Sequence, residues 1–124
     1  MTEWYEQLLE LQLRENRVVW AGLQEHGLGD GTVLRLGFVY LSPGEEEARR
    51  LVTFLGQEAD YELDTRLRDD ADDPESGEWV VIGTTQPTPV SLDLLDDWTD
   101  WMVAAGAAAG PCAFDGWAAQ LVDD

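Results

Sequence analysis

Val33-Leu34-Arg35-Leu36-Gly37-Phe38-Val39-Tyr40-Leu41, followed at once by Ser42-Pro43-Gly44-Glu45, decides the fold class of this chain. In the first nine residues both parities are mostly apolar: Leu34, Leu36, Phe38 and Tyr40 on one, Val33, Val39 and Leu41 on the other. A strand with two apolar faces belongs in the middle of a sheet and is expected to be covered on both sides. The next four residues spell a helix start. Ser42 can cap, Pro43 suits the first helical position, and Glu45 stands three residues after the cap, as a capping box requires. Ala48, Leu51, Val52 and Leu55 then recur at helical spacing, and Gly56 is the expected terminator. A central strand that feeds a helix is half of a β-α-β unit.

Working outward, Tyr61, Leu63, Thr65 and Leu67 alternate with Glu62, Asp64, Arg66 and Arg68. That period of two predicts a half-exposed edge strand. An acidic loop at 69–77 separates it from a second central strand at 79–85, and residues 86–90, with two prolines, read as a linker. Ser91 caps a further helix in which Leu94, Leu95, Trp98, Trp101, Met102 and Ala105 are expected to pack inward, with Asp93, Asp96, Asp97 and Asp100 on the other side. It fades through Gly106 and the alanines at 107–109, and a last strand runs over 114–122. Upstream, residues 2–26 form a long amphipathic helix with a stripe of Trp4, Leu8, Leu11, Val18, Val19 and Leu23, stopped by Gly27 and Gly29-Asp30-Gly31. His26 falls at its C-terminal end, where an imidazole is expected to cap.

The order predicts an α+β chain of one domain, 1–124. Residues 1–28 form a leading helix, and 32–124 form a ferredoxin-like plait, βαββαβ, with a four-stranded antiparallel sheet. The first and third strands lie centrally in that topology. The leading helix must bury its stripe against the free sheet face or the edge of the helical layer; the pattern leaves both open.

Charge narrows the function. Twenty-six acidic residues against seven basic ones give a formal net charge of −19. Nucleic acid or an anionic membrane is repelled over roughly 8 Å at physiological salt, whereas a basic protein surface is drawn in. Direct nucleic-acid binding is therefore not expected. An apolar fraction of 44% and six tryptophans supply a core. No stretch approaches the ~20 apolar residues of a membrane span, and the N-terminus carries acids where a signal peptide would carry bases. The single Cys112 cannot form an internal disulfide, so the expected compartment is the cytoplasm. One histidine and one cysteine exclude an ordinary four-ligand zinc site. The acidic loop lacks the ligand spacing of a calcium-binding EF-hand, and no phosphate cradle or nucleophile elbow is present. No metal, cofactor or catalytic residue is expected.

Phe114-Asp115-Gly116-Trp117, with Trp79 opening the third strand and a helix between them, resembles the RraB-like family, the regulators of ribonuclease E activity B. Members carry a Tyr-Asp-Gly-Trp element at the start of the last strand; Phe114 takes the tyrosine place. The resemblance runs from about residue 33 to the end and implies a plait that is not an enzyme. It also implies a partner, the non-catalytic scaffold region of ribonuclease E, whose RNA cleavage such proteins reduce. Independently of any family, Asp115-Gly116 suits a turn or bulge, and Phe114 and Trp117 suit a core. The candidate partner-binding residues are Asp69, Asp70, Asp72 and Asp73 in the loop and Asp93, Asp96, Asp97 and Asp100 on the helix. The alternatives are an immunity-type or nucleic-acid-mimic protein that neutralises a basic toxin, and a small enzyme or ligand-binding plait with a pocket between sheet and leading helix.

Overall fold

In a computed structural model, which describes residues 4–67, 79–109 and 111–121, eight elements follow one another. They are α1 (Trp4–Glu25), β1 (Val33–Ser42), α2 (Glu45–Glu58), β2 (Glu62–Leu67), β3 (Trp79–Thr84), β4 (Thr88–Pro89), α3 (Leu92–Ala109) and β5 (Ala113–Leu121). The chain is α+β, with one antiparallel sheet of five strands. Four strands were expected. The fifth is β4, two residues of the stretch read as a linker.

The pairings explain why it exists. β5 occupies one edge of β1 from Leu34 to Leu41, so β3 and β4 share the other. β3 pairs with β1 from Gly37 to Ser42, and β4 pairs with Val33 and Leu34. Between them the Thr85 N–H donates to the Leu36 carbonyl, and the Leu36 N–H donates to Thr85 Oγ1, both at 3.0 Å. Pro87 and Pro89 are tolerated because β2 pairs β3 only as far as Thr84, which leaves this stretch an outer edge. β1 and β3 lie inside the sheet and β2 at its rim.

Burial of β1 alternates strictly. Leu34, Leu36, Phe38, Tyr40 and Ser42 are buried, while Arg35, Gly37, Val39 and Leu41 are only half-buried. Coverage of both faces is thus corrected: the helices lie on one face, and no described helix covers the other. Val39 and Leu41, with Ile82 of β3, were apolar without being core, since alternation reports packing only when one side is polar. On the covered face Phe38, Tyr40, Val81 and Phe114 meet Ala48, Leu51 and Leu55 of α2 and Met102 and Val103 of α3. A second cluster joins Trp20 of α1 to Leu34, Leu36, Val90 and Leu95.

The helices differ from expectation in detail. Ser42 is the last residue of β1, and Gly44 is the N-cap of α2, without a side-chain cap. The Ser42 hydroxyl instead donates to the Gly44 carbonyl at 2.7 Å, closing the turn. α2 continues past Gly56 to Glu58. In α3, Ser91 does cap, accepting the Leu94 N–H at 3.1 Å. Leu94 and Trp101, expected inside, are more than a third exposed, while Thr99, Val103 and Gly106 are buried. Trp101 lies stacked on Phe54 of α2. Gly106 sits within the helix because Tyr40 comes so close that an added Cβ would fall 2.6 Å from its ring. That approach lets the Tyr40 hydroxyl donate to the Met102 carbonyl at 2.6 Å.

α1 belongs to the helical layer, against α3 and β5. Its stripe is the expected one only in part. Leu8 and Leu23 are half-buried and pack against the core, whereas Trp4, Leu11 and Val18 are exposed, and the side chains described as fully buried are Gln12, Asn16 and Trp20, a straight i, i+4, i+8 line.

Candidate functional site

The acidic side chains of α3 separate into two groups. Asp93, Asp97 and Asp100 are exposed, at the four-then-three spacing that puts them on one side of the helix. Asp96 is half-buried and faces α1. It accepts the Asn16 amide at 3.0 Å and lies 3.6 Å from the Arg17 guanidinium. Asp96 therefore anchors α1, and three of the four α3 aspartates remain available to a partner. Asp69, Asp70, Asp72 and Asp73 lie outside the described residues.

Asp96 is one contact of a polar node. The Asn16 amide also reaches the Leu95 carbonyl at 3.3 Å and Thr99 Oγ1 at 3.0 Å. Its oxygen accepts the Trp117 indole N–H at 2.8 Å. One turn earlier, the Gln12 amide donates to the Phe114 carbonyl at 3.4 Å. The element Phe114-Asp115-Gly116-Trp117 is thus the receptor for α1. Phe38 stands opposite Trp117 and Tyr40 opposite Phe114, so Asp115 and Gly116 together face Val39 and form a bulge. Gly116 has φ +111°, which a side chain would strain. The bulge keeps both Phe114 and Trp117 on the covered face. Phe114 is fully buried, edge-on to Tyr40 at 5.2 Å and to Trp98 at 5.9 Å; Asp115 is exposed. Trp79 is half-buried at the start of β3, opposite Ser42 on one side and Leu67 on the other.

Beside the exposed aspartates a cavity of about 680 Å³ opens between α3, the entry to β2 and the stretch that leads from β3 to β4. Its apolar walls are Leu36, Leu94, Tyr61 and Trp98; Asp60, Asp97, Thr85, Gln86 and Thr88 supply the polar groups. The Trp98 indole donates to the Tyr61 hydroxyl at 3.0 Å. Burial pushes the Tyr61 phenol above its usual range, partly opposed by that indole, so it carries its proton at neutral pH. This cavity is not between the sheet and the leading helix. No local pattern pointed to it, because its residues come from four separated stretches with no shared motif. The polar node was only faintly legible, as the straight line Gln12, Asn16, Trp20.

The remaining reactive side chains have structural partners. His26 Nδ1 is 2.9 Å from the Gly22 carbonyl at the end of α1. Cys112 is buried, its thiol pushed up by desolvation and directed at the Glu47 carbonyl at 3.7 Å. Among the described residues no group of three or more His, Cys, Asp or Glu side chains is placed to hold a metal ion. No helix among them is long and apolar enough to cross a membrane. No family model matches the sequence, and no curated protein matches it.

Proposed function

We propose that this chain is a non-catalytic regulatory protein of the RraB-like kind, acting in the cytoplasm. It binds ribonuclease E, or a related basic RNA-processing partner, through the exposed carboxylates of α3 and lowers RNA cleavage by covering the partner's cationic surface. The observation that carries this reading is the row Asp93, Asp97, Asp100. Asp93 lies in the first turn of α3, where the helix dipole favours a carboxylate, and no ion pair to Asp93, Asp97 or Asp100 forms among the described residues. An exposed row of acids with no internal cation suits an outside one. It stands on a net charge of −19, which raises the encounter rate with a basic partner.

A ferredoxin-like plait is the fold side of the same reading. In its support, the four longer strands lie side by side as β2, β3, β1 and β5, all antiparallel, with α2 and α3 as crossovers on one face. β4 then counts as a short extension of the β3 edge. The bulged Asp115-Gly116 between two core aromatics is what the resemblance would need in order to be structural.

The test is capture of the purified ribonuclease E scaffold region by the tagged protein at low and high salt, beside an RNA cleavage assay. Capture should be strong at low salt, weaken steeply with salt, and disappear in the Asp93→Lys/Asp97→Lys/Asp100→Lys variant with its melting temperature nearly unchanged. Unaltered cleavage at molar excess, or capture indifferent to the three reversals, sinks the reading.

A further inference from the structure

The cavity beside α3 has a hydrogen-bonding inventory that selects its occupant. The Thr85 and Thr88 hydroxyls both donate to the Gln86 carbonyl, at 2.9 and 2.8 Å. Each hydroxyl has one hydrogen, so what remains of both is acceptor capacity only. Thr85 Oγ1 uses part of that on the Leu36 N–H, and Thr88 Oγ1 keeps its own. The Gln86 amide gives one of its two hydrogens to the Asp60 carbonyl at 3.0 Å, and its oxygen is a further acceptor. Asp60 and Asp97 add carboxylates, which when ionised are acceptors only, and no lining side chain is basic. The side-chain donors left over are the second Gln86 amide hydrogen and the Tyr61 hydroxyl, which accepts from Trp98 and has no acceptor for its own hydrogen among the described residues.

We infer that this cavity seats an arginine residue of a basic polypeptide, its guanidinium held by Asp60, Asp97 and Thr88 and its stem lying along Tyr61 and Trp98. A guanidinium offers five N–H donors and no acceptor, the complement of an acceptor-rich site, and stacks on aromatic rings where an ammonium is held by its hydration. The surplus Tyr61 hydrogen distinguishes the source. A peptide carries a backbone carbonyl beside the side chain to accept it, and a free alkylguanidine does not. The volume lies within the ~300–1,000 Å³ of ordinary ligand sites, enough for a side chain together with adjoining backbone. The inference rests on the docking reading above and gives it a specific anchor.

The decisive experiment titrates the full chain, labelled at the tryptophan indole nitrogens, with the capped peptide Gly-Arg-Gly, its citrulline counterpart, and N-butylguanidine. The arginine peptide should shift the assigned Trp98 signal saturably, the citrulline peptide should not, and N-butylguanidine should bind more weakly than the peptide. Asp97→Asn should weaken the arginine peptide about tenfold or more, and Thr88→Val by less, since only the first removes a charged acceptor. Equal binding of arginine and citrulline peptides, or an Asp97→Asn variant that titrates like the parent, overturns the site. N-butylguanidine binding as tightly as the peptide overturns the polypeptide as its source.

Asp93→Lys/Asp100→Lys, outside the cavity lining, separates the two claims. If this pair abolishes capture of the scaffold while Asp97→Asn changes neither capture nor titration, the docking surface stands and the arginine pocket falls. If the arginine peptide titrates as expected and ribonuclease E is not captured, the pocket stands and the proposed partner falls.

Discussion

Two helices of the same layer are seated by opposite means. α3 sits on the sheet through Leu95, Met102, Val103 and Ala105, all in contact with strand side chains or with α2. α1 has apolar contacts toward its ends, Leu8 and Leu9 at one and Trp20 and Leu23 at the other, but its middle is fixed by Gln12 and Asn16, which reach the Phe114 and Leu95 carbonyls, Asp96, Thr99 and Trp117. The apolar seat is strong and non-directional, proportional to the area removed from water. The polar seat contributes less net free energy, since each bond replaces one to water, but a buried amide left without partners is destabilising. α1 is therefore held in one register more than it is held tightly. The bulge at Asp115-Gly116 serves the same end, because it is what keeps Trp117 aligned with Asn16.

That contrast can be broken from either side. The largest effect should come from Met102→Ala, which opens a cavity in the middle of the core; a loss of about 2–5 kcal/mol is expected in denaturant unfolding, with one cooperative transition. Asn16→Ala should lose about 1–3 kcal/mol by leaving the Trp117 indole and Thr99 unpaired. Its signature is in hydrogen exchange: protection should fall in α1 while α2 and α3 keep theirs. Equal loss in all three helices would show that α1 is not separately seated.

Tyr40→Phe should cost about 0.5–1.5 kcal/mol by deleting a polar tie between β1 and α3. It also carries the pH dependence. Burial raises the Tyr40 phenol well above its ordinary value of 10.0, so above that pH the unfolded chain releases a proton that the folded one keeps. Stability should then fall with rising pH by at most about 1.4 kcal/mol per unit for this phenol, with no contribution below pH 9. Tyr40→Phe should flatten much of that fall in pH-dependent melting, the rest being due to the Tyr61 phenol and the Cys112 thiol, both raised by burial in the same sense. The smallest effect is expected at Val18→Ser, within about 0.5 kcal/mol, because Val18 is 68% exposed and outside the seat.

The surface repeats the lesson. From sequence, Asp93, Asp96, Asp97 and Asp100 form one acidic face, and period alone does divide them from the apolar side of α3. It could not show that a neighbouring helix would take Asp96 inward, since Asn16 and Arg17 lie some eighty residues away in the chain. Leu94 and Trp101 failed for a related reason. Apolar residues at helical spacing mark a broad face, and its flanks are buried only where another element arrives. The arginine pocket was illegible in any local pattern, because what defines it is hydrogens already given away within 85–88.

The alternation of β2, the Ser91 cap of α3, the glycine stop after α1, the order of the longer elements, and the acid excess were determined by the sequence itself. Each is a property of residues within a turn or two of one another, or of a simple sum. Only the tertiary structure decided which face of β1 the helices cover, that α1 joins the helical layer, and that Gln12 and Asn16 belong in the interior. Burial of a polar group is favourable only when distant groups complete its hydrogen bonds, and those partners come from the far end of the chain.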